Sequence, residues 1–597
     1  MDRQAWIAIS LCVLGLIAWQ IYSVTHPPPR PPVAVSPSPT PMAQGQTTAT
    51  TTTSPSPPSP GLSPSPSATT SPEQGEKIPE FPQKTETLAN GDVELHLTNR
   101  GGAIAEAVLL NHTVEKNNRV VLNAPDRLPI GAILEQPDSA LSEFTIAREG
   151  DNAVEFERKT ADNVTIRKRF FFPPTTEKKD NYVAQLDVDF RNDGVQAYSN
   201  PGYFITLGST IPFHRNEVPL YPRYVCYVDG KRKDKNASSF SAQNYPLIGV
   251  ERQAATSMFR EQVNGAEWAA LTNQFFATLL TPLDSKGVGI WGRPVESQPN
   301  DQTMRGIEGA LAMPPFQLQP GQSATQHFQI YLGPKIYERL AKLQPEHHQG
   351  EIMDFGWFKL VSQFLLNFMN LIHGWVKDYG VAIILLTACV KGVLWPLQNK
   401  ANRSMRKMSA LAPKMQELKE KHKDDPTRMN QEVMKLYKEH GVNPVGGCLP
   451  MMIQIPIFFG LFGMLREAAE LRNATFLWVK DLSQPDTLFV VPGLGWIPFV
   501  GSPEGLHVNI LPILMGATNI WLMRMTPKTG DATQRRVMMF MPLIFLIFCY
   551  NFAAALALYY TTQNLFTILQ LYQNQRQPVP VLEKVAPPGK RLRKGRS

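Results

Sequence analysis

The chain has 597 residues, 43% of them hydrophobic, with 59 Lys and Arg against 51 Asp and Glu for a net charge of +8. That length allows several domains, and the mean composition reads as ordinary globular protein; the apolar residues nevertheless gather in a few unbroken runs, as in a membrane protein. Of the five cysteines, Cys12, Cys226, Cys389, Cys448 and Cys549, only Cys226 falls in the large polar region, which excludes an internal disulfide there. No phosphate-binding glycine loop, metal-spaced His/Cys set or nucleophile elbow is present, so the sequence predicts neither an enzyme nor a cofactor or metal site.

Residues Ala5 to Tyr22 are apolar except for Ser10 and Gln20, with Trp6, Trp19 and Tyr22 as interfacial anchors, and no small-x-small cleavage site follows. This predicts a retained transmembrane anchor over 1–24, with a cleaved signal peptide as its rival. Residues 25–77 are rich in Pro, Ser and Thr and cannot bury a core, which predicts an extended tether. From 78 to 340 the pattern has period two. Val93, Leu95 and Leu97 alternate with Glu94 and His96, and Leu186, Val188 and Phe190 with Asp187 and Asp189. Turn residues such as Asn192-Asp193-Gly194 punctuate it, so an all-β sandwich domain is expected. Large sandwiches often bind sugars, but no His/Asp/Glu constellation stands out here, and a scaffold or docking role is the simpler expectation.

Residues 354–375 repeat apolar side chains at Phe358, Val361, Leu365, Phe368, Ile372 and Trp375, one face of a helix expected to lie flat at the membrane interface. The run Val381 to Leu397 is apolar except for Lys391, about 10–13 Å short of the polar end at 398–400 along a helix. A cation at that depth costs ~2.5–3.5 kcal/mol and calls for a partner, a bundle interior or a water-filled cavity. A snorkelling lysine is the competing reading. Residues Gln398 to His440 carry eleven Lys or Arg against six Asp or Glu, which places this loop in the cytoplasm. Met405, Met408, Ala412 and Met415, then Met429, Val433 and Leu436, predict a helical hairpin with a methionine-rich seam. Asp425-Pro426 marks the start of its second arm.

Further spans are expected at about 445–466, 507–525, 537–551 and 552–571, with 487–506 as a surface loop broken by Pro492, Gly493, Gly495 and Pro498. The tail, 576–597, is basic. The fold class is thus a multi-domain membrane protein: an all-α portion of six spans, comprising the anchor and a five-span core over 378–575, together with an all-β domain. Both termini fall in the cytoplasm and the β domain on the opposite side.

Polar residues recur inside the spans: Thr387 and Lys391, Gln454, Thr518 and Asn519, then Thr561, Thr562, Gln563 and Asn564. Singly, each is ordinary interhelical glue. Because four spans contribute them, they predict a shared polar pocket around Lys391. A small-solute transporter would also carry such residues, but the internal repeats usual for that class are missing. A membrane-anchored carbohydrate-binding protein would leave five spans without a purpose.

The run NPVGGCLPMMIQIPIFFGLFGML, residues 443–465, resembles the third span of the YidC/Oxa1/Alb3 family of membrane insertases. LTACVKGVLWPL, LPILMGATNIWLMRM and ALALYYTTQN resemble its neighbouring spans, and the whole layout resembles the Gram-negative type with a large periplasmic domain. The resemblance implies an inner-membrane insertase and chaperone with a hydrophilic groove whose cation stands at Lys391. In that family the cation is usually arginine. It assigns Thr387, Gln454, Tyr559 and Tyr560 to the groove or substrate path, and Thr518, Asn519, Gln563 and Asn564 join them as candidates. It also implies nascent inner-membrane proteins, the Sec translocon, the ribosome and membrane lipid as partners, the ribosome meeting the hairpin and the basic tail.

Overall fold

The computed structural model describes residues 81–578 except 116–117, 150–151, 175–180, 214–220, 245–250, 297–304, 423–424, 443–448, 498–499, 503, 527–539 and 541–542. The expected anchor, tether and most of the tail lie outside the described residues. So do the residues between the expected spans 507–525 and 537–551, apart from Thr526, and the start of the second of these.

Residues 85–334 form antiparallel β structure. Thr85–Ala89, Val93–Thr98, Ala103–Glu115 and Asn118–Leu122 make a four-stranded meander, beside a thirteen-stranded sheet. The period-two pattern explains the layering. Strand Val164–Phe171 pairs with Val183–Asn192 so that Ile166 faces Phe190 and Phe170 faces Leu186 in the core, while Arg167 meets Asp189 and Arg169 meets Asp187 on the outer side. One inward position carries a lysine. Lys168 is fully buried, donating to the carbonyls of Gly101 (2.9 Å) and Gly131 (2.6 Å) between the rings of Phe144 and Phe170.

The sheet hands over to helices through α1, Tyr337–Leu343. Helix α2 is Lys359–Val376 and begins after a 3₁₀ turn at Gly356–Phe358, five residues later than the expected start at 354. Asp354 accepts from the Gly356 amide, and Gly356 takes φ +65, so the chain turns there instead of coiling. Helix α2 is also apolar on two sides. Leu365, Leu366, Met369 and Ile372 are buried, whereas Leu360, Phe364, Leu371 and Trp375 are exposed, as is Trp357 in the preceding turn, so Trp375 does not share one face with Leu365 and Ile372 as the spacing predicts.

Helix α3, Tyr379–Lys421, joins the expected span 381–398 and the first arm of the hairpin, 400–440, into one 43-residue helix that contains Pro396 and Pro413. At ~1.5 Å per residue it is about twice the length that crosses a hydrocarbon core. Asp378 caps its start by accepting from Val381 N at 2.9 Å. Helix α4, Pro426–Glu439, starts at the Asp425 cap, whose carboxylate accepts from Arg428 N at 2.9 Å. The Tyr437 hydroxyl reaches Met415 Sδ at 3.0 Å across the hairpin.

Helices α5, Leu449–Glu467, α6, Ile510–Met525, and α7, Ala554–Gln575, complete the described core, with residues 543–549 helical before α7. Helix α6 begins three residues after the expected 507, because Gly505–Asn509 is a strand. The expected loop at 487–506 is therefore a small sheet, with Thr487–Val491 and Gly501–Ser502 flanking Gly505–Asn509. Helix α2 packs on α5 closely enough that Ser362 Oγ donates to Gly460 O at 2.8 Å. A Cβ on Gly460 would lie 2.8 Å from Val361 Cγ1.

Sandwich and helices meet at a buried ionic joint. Lys335, at the end of the last long strand, pairs with Glu467 at the end of α5. Arg223 reaches Asp354 at 3.1 Å and Glu467 at 3.7 Å, and Arg466 lies 3.6 Å from both carboxylates. Burial presses the Lys335 pKa down and Glu467 opposes it. Burial would raise that of Asp354, but Arg232, Arg223 and Arg466 together hold it below the usual carboxylate value.

Candidate functional site: a polar seam around helix α7

Helix α7 contacts α3, α5 and α6, and a different polar side chain faces each neighbour. Gln454 on α5 donates to Gln563 Oε1 at 3.0 Å. Asn564 donates to Thr518 Oγ1 on α6 at 3.1 Å. Toward α3, the Lys391 ammonium donates to Thr567 Oγ1 at 2.8 Å and Gln398 Oε1 at 3.4 Å, and the Thr567 hydroxyl in turn donates to Gln563 O at 2.7 Å. The row continues along α7. Gln570 donates to Asn399 Oδ1 at 2.8 Å and Trp395 O at 3.1 Å, Asn574 to Asn399 Oδ1 at 3.0 Å, and Arg406 closes it on Asn574 O at 2.7 Å. Beyond Arg406 lies a cavity of about 310 Å³ lined by Asn402, Arg406, Met525, Asn574 and Gln575.

Lys391 is 5% exposed, so its ammonium sits within the packing of α3 against α7 and not on the wall of an open groove. Among the described residues it makes no ion pair; its acceptors there are neutral oxygens. Such a site is met inside a bundle because isolated buried charge is otherwise expensive.

The other expected residues divide. Gln454, Thr518, Gln563 and Asn564 join the seam. Thr387 is buried one turn above Lys391, but its hydroxyl is used by Ile383 O at 2.6 Å in its own helix. Asn519 is half-buried and takes part in none of these bonds. Tyr559 is buried against Tyr560. The Tyr560 ring packs on Phe458 and Phe545, and its buried hydroxyl has no hydrogen-bond partner among the described residues. Thr567, Gln570, Asn574 and Asn399 were not among the candidates. The three on α7 extend Gln563 at spacings of four, three and four, a polar stripe on one helix face.

A helical region with an internal polar seam, ionically joined to a large antiparallel sandwich, fits the class of membrane proteins that carry a large folded domain outside the bilayer. The family model described as the 60Kd inner membrane protein matches residues 371–579, and that of the YidC periplasmic domain matches residues 86–368. The membrane protein insertase YidC of Pelobacter propionicus is 32% identical over 513 residues, covering 83% of this chain and 87% of that protein. That of Syntrophus aciditrophicus is 29% identical over 97% of this chain and 100% of its own length. That of Syntrophobacter fumaroxidans is 38% identical over 309 residues, a match spanning 51% of this chain and 53% of the relative. The chain belongs to the YidC family of membrane protein insertases.

Proposed function

We propose that the seam between α3 and α7 is the path by which this insertase admits the polar flank of a substrate, with Lys391 as the cation that draws it inward. The observation carrying this reading is a buried ammonium with no counter-ion among the described residues, at the end of a row of amides and a hydroxyl leading from the cavity at Arg406. An acidic side chain of the incoming segment supplies the missing partner. Two unit charges ~4 Å apart at an effective dielectric near 20 attract by about 4 kcal/mol before desolvation, enough to bias an early step. Apolar substrate segments then pass into lipid, and burial of their surface drives insertion without nucleotide hydrolysis. The seam parts to admit the chain and recloses behind it.

The same reading has six spans, both termini in the cytoplasm and the sandwich on the far side, supported by the basic excess at 398–440 and in the tail. Among the described helices, Tyr379–Leu418 is long and apolar enough to cross a membrane by length and composition, and α6 is a shorter apolar helix. The long arm of α3 with α4 then forms a cytoplasmic platform for ribosome-delivered chains, and the Sec translocon is a partner in handing them on. Thr387, Tyr559 and Tyr560 shape the closed upper end of the path.

The experiment is insertion of matched substrates with acidic or neutral flanks by Lys391→Arg, Lys391→Gln and Lys391→Glu at equal expression. Arginine keeps its charge at any ordinary pH and should support insertion; glutamine and glutamate should impair chiefly the acidic substrates. Equal activity of all three on acidic substrates would reduce Lys391 to a packing residue.

A further inference from the structure

The small sheet at 487–509 presents an unusual surface. Residues 487–502 contain no Asp, Glu, Lys or Arg. Successive residues of a strand point to opposite faces. The register slips at Leu488, but Phe489 and Val490 are successive paired residues, opposite Val508 and His507. They are 54% and 37% exposed and Leu488 is 57% exposed, so both faces of this ribbon present apolar side chains, and Trp496 at its tip is 76% exposed. In water such a surface would be an aggregation liability.

The base of the ribbon is firmly held. Asp486 accepts from Leu511 N at 2.7 Å and Trp478 Nε1 at 3.1 Å, and Asn509 donates to Tyr550 O at 2.9 Å. Gly505 takes φ +136, where an added Cβ would lie 2.3 Å from Val491 O, which fixes the close pairing of the strands. Strand Gly505–Asn509 leads directly into α6 at Ile510, so the ribbon stands at the end of an apolar helix. It faces the sandwich side, because Val490, Val500 and His507 share a cavity of about 670 Å³ with Tyr221 and Gln274 of the β domain.

We propose that this ribbon is a membrane-interface anchor whose ligand is the lipid of the leaflet next to the sandwich. A protein partner would have to cover both faces of a narrow ribbon, whereas lipid surrounds it. Continuity with α6 brings it to the bilayer without further movement. Its depth is limited, since strand Thr487–Val491 pairs along one edge only and unpaired backbone groups are not tolerated in the hydrocarbon interior. The ribbon therefore rests among headgroups and upper acyl chains, where tryptophan is favoured. Two anchors then flank the joint with the sandwich: the exposed face of α2 and this ribbon.

The test uses full-length protein reconstituted in phosphatidylethanolamine/phosphatidylglycerol vesicles, with spin labels on Phe489→Cys, Val490→Cys and Trp496→Cys, and on Asp284→Cys as a water-exposed reference. The probes are molecular oxygen, which concentrates in lipid, and a water-soluble nickel chelate. All three ribbon labels should show a several-fold higher oxygen-to-nickel collision ratio than the reference, on the face of Phe489→Cys and on that of Val490→Cys. A nickel-accessible ribbon, or a label on either face shielded from both probes, would overturn the proposal. Because no step of insertion is measured, failure here leaves the reading of Lys391 untouched.

Discussion

Lys335 and Lys391 are both buried lysines in the same molecule, and their surroundings differ in one respect. At the joint between sandwich and helices, the buried Lys335 and Arg223 meet the buried Glu467 and the half-buried Asp354, so the cations are matched by carboxylates. In the seam, Lys391 meets, among the described residues, a threonine hydroxyl and a glutamine carbonyl and no carboxylate. The first arrangement is complete and locks two parts together. The second retains an unanswered charge, which is what a site for a transient acidic guest requires. Lys168 sharpens the contrast, because it too pairs with no carboxylate among the described residues, yet it is fully buried inside the sandwich against two carbonyls and two rings.

The largest effect should come from breaking the complete site. Glu467→Gln leaves Lys335 and Arg223 buried with one carboxylate fewer, and removing one partner of a buried pair costs roughly 3–5 kcal/mol. Chemical unfolding of the purified protein would read this loss. Adding Lys335→Met to Glu467→Gln should recover part of it, since the unpaired ammonium is gone while Arg223 remains. Full tolerance of Glu467→Gln would show that water already solvates the joint.

A second break concerns the sandwich where it borders the helical region. His112 lies between the rings of Tyr182 and Phe276, with Nε2 3.1 Å from Tyr182 Oη. Burial, followed by the charges of Arg472 and Arg339, lowers its pKa to about 4. In the unfolded chain it titrates near 6.5, so between those values the unfolded state binds the extra proton and folding is weakened as pH falls. That window is worth at most roughly 3 kcal/mol. Urea unfolding at pH 7 and pH 4.5 should show a smaller acid loss for His112→Gln than for the parent chain.

At Lys391 the effect should appear in activity. Lys391→Gln should slow insertion of acidic-flanked substrates about tenfold, equivalent to ~1.4 kcal/mol, and leave neutral ones near normal. Lys168→Met, by contrast, should alter sandwich stability and show no dependence on substrate charge. The same substrate-selective loss at both lysines would erase the distinction between them.

The sandwich was legible because alternation along Leu186–Phe190 carries its own register, and the cap at Asp425 because Asp-Pro admits few other readings. The ribbon at 487–509 was hidden because Pro492, Gly493 and Gly495 punctuate it as they would a loop, and its strands pair across an intervening turn. Continuity of α3 through Pro396 was equally hidden, since proline weakens a helix locally without always ending it. For the seam, Gln454, Gln563 and Asn564 could be found as polar residues in apolar runs. Thr567, Gln570 and Asn574 continue the row where the expected span was ending, and their partners on α3, 171 to 176 positions away in sequence, follow only from the packing.

The smallest effect should be the coupling of Gln454 to Gln563, and its smallness matters to the mechanism. Two neutral amides at 3.0 Å, one of them half-buried, resemble the interhelical hydrogen bonds whose double-mutant coupling in membranes averages ~0.6 kcal/mol. A path that must part and reclose needs contacts of this strength; bonds as strong as the ionic joint would hold the helices shut. Gln454→Leu, Gln563→Leu and the double variant, unfolded in the same detergent, give the coupling directly. A value near 0.6 kcal/mol fits a seam that opens at low cost. A coupling of several kcal/mol would make α7 a rigid strut like the joint at Glu467, and the substrate would then have to pass along the outside of α3, beyond the reach of Lys391.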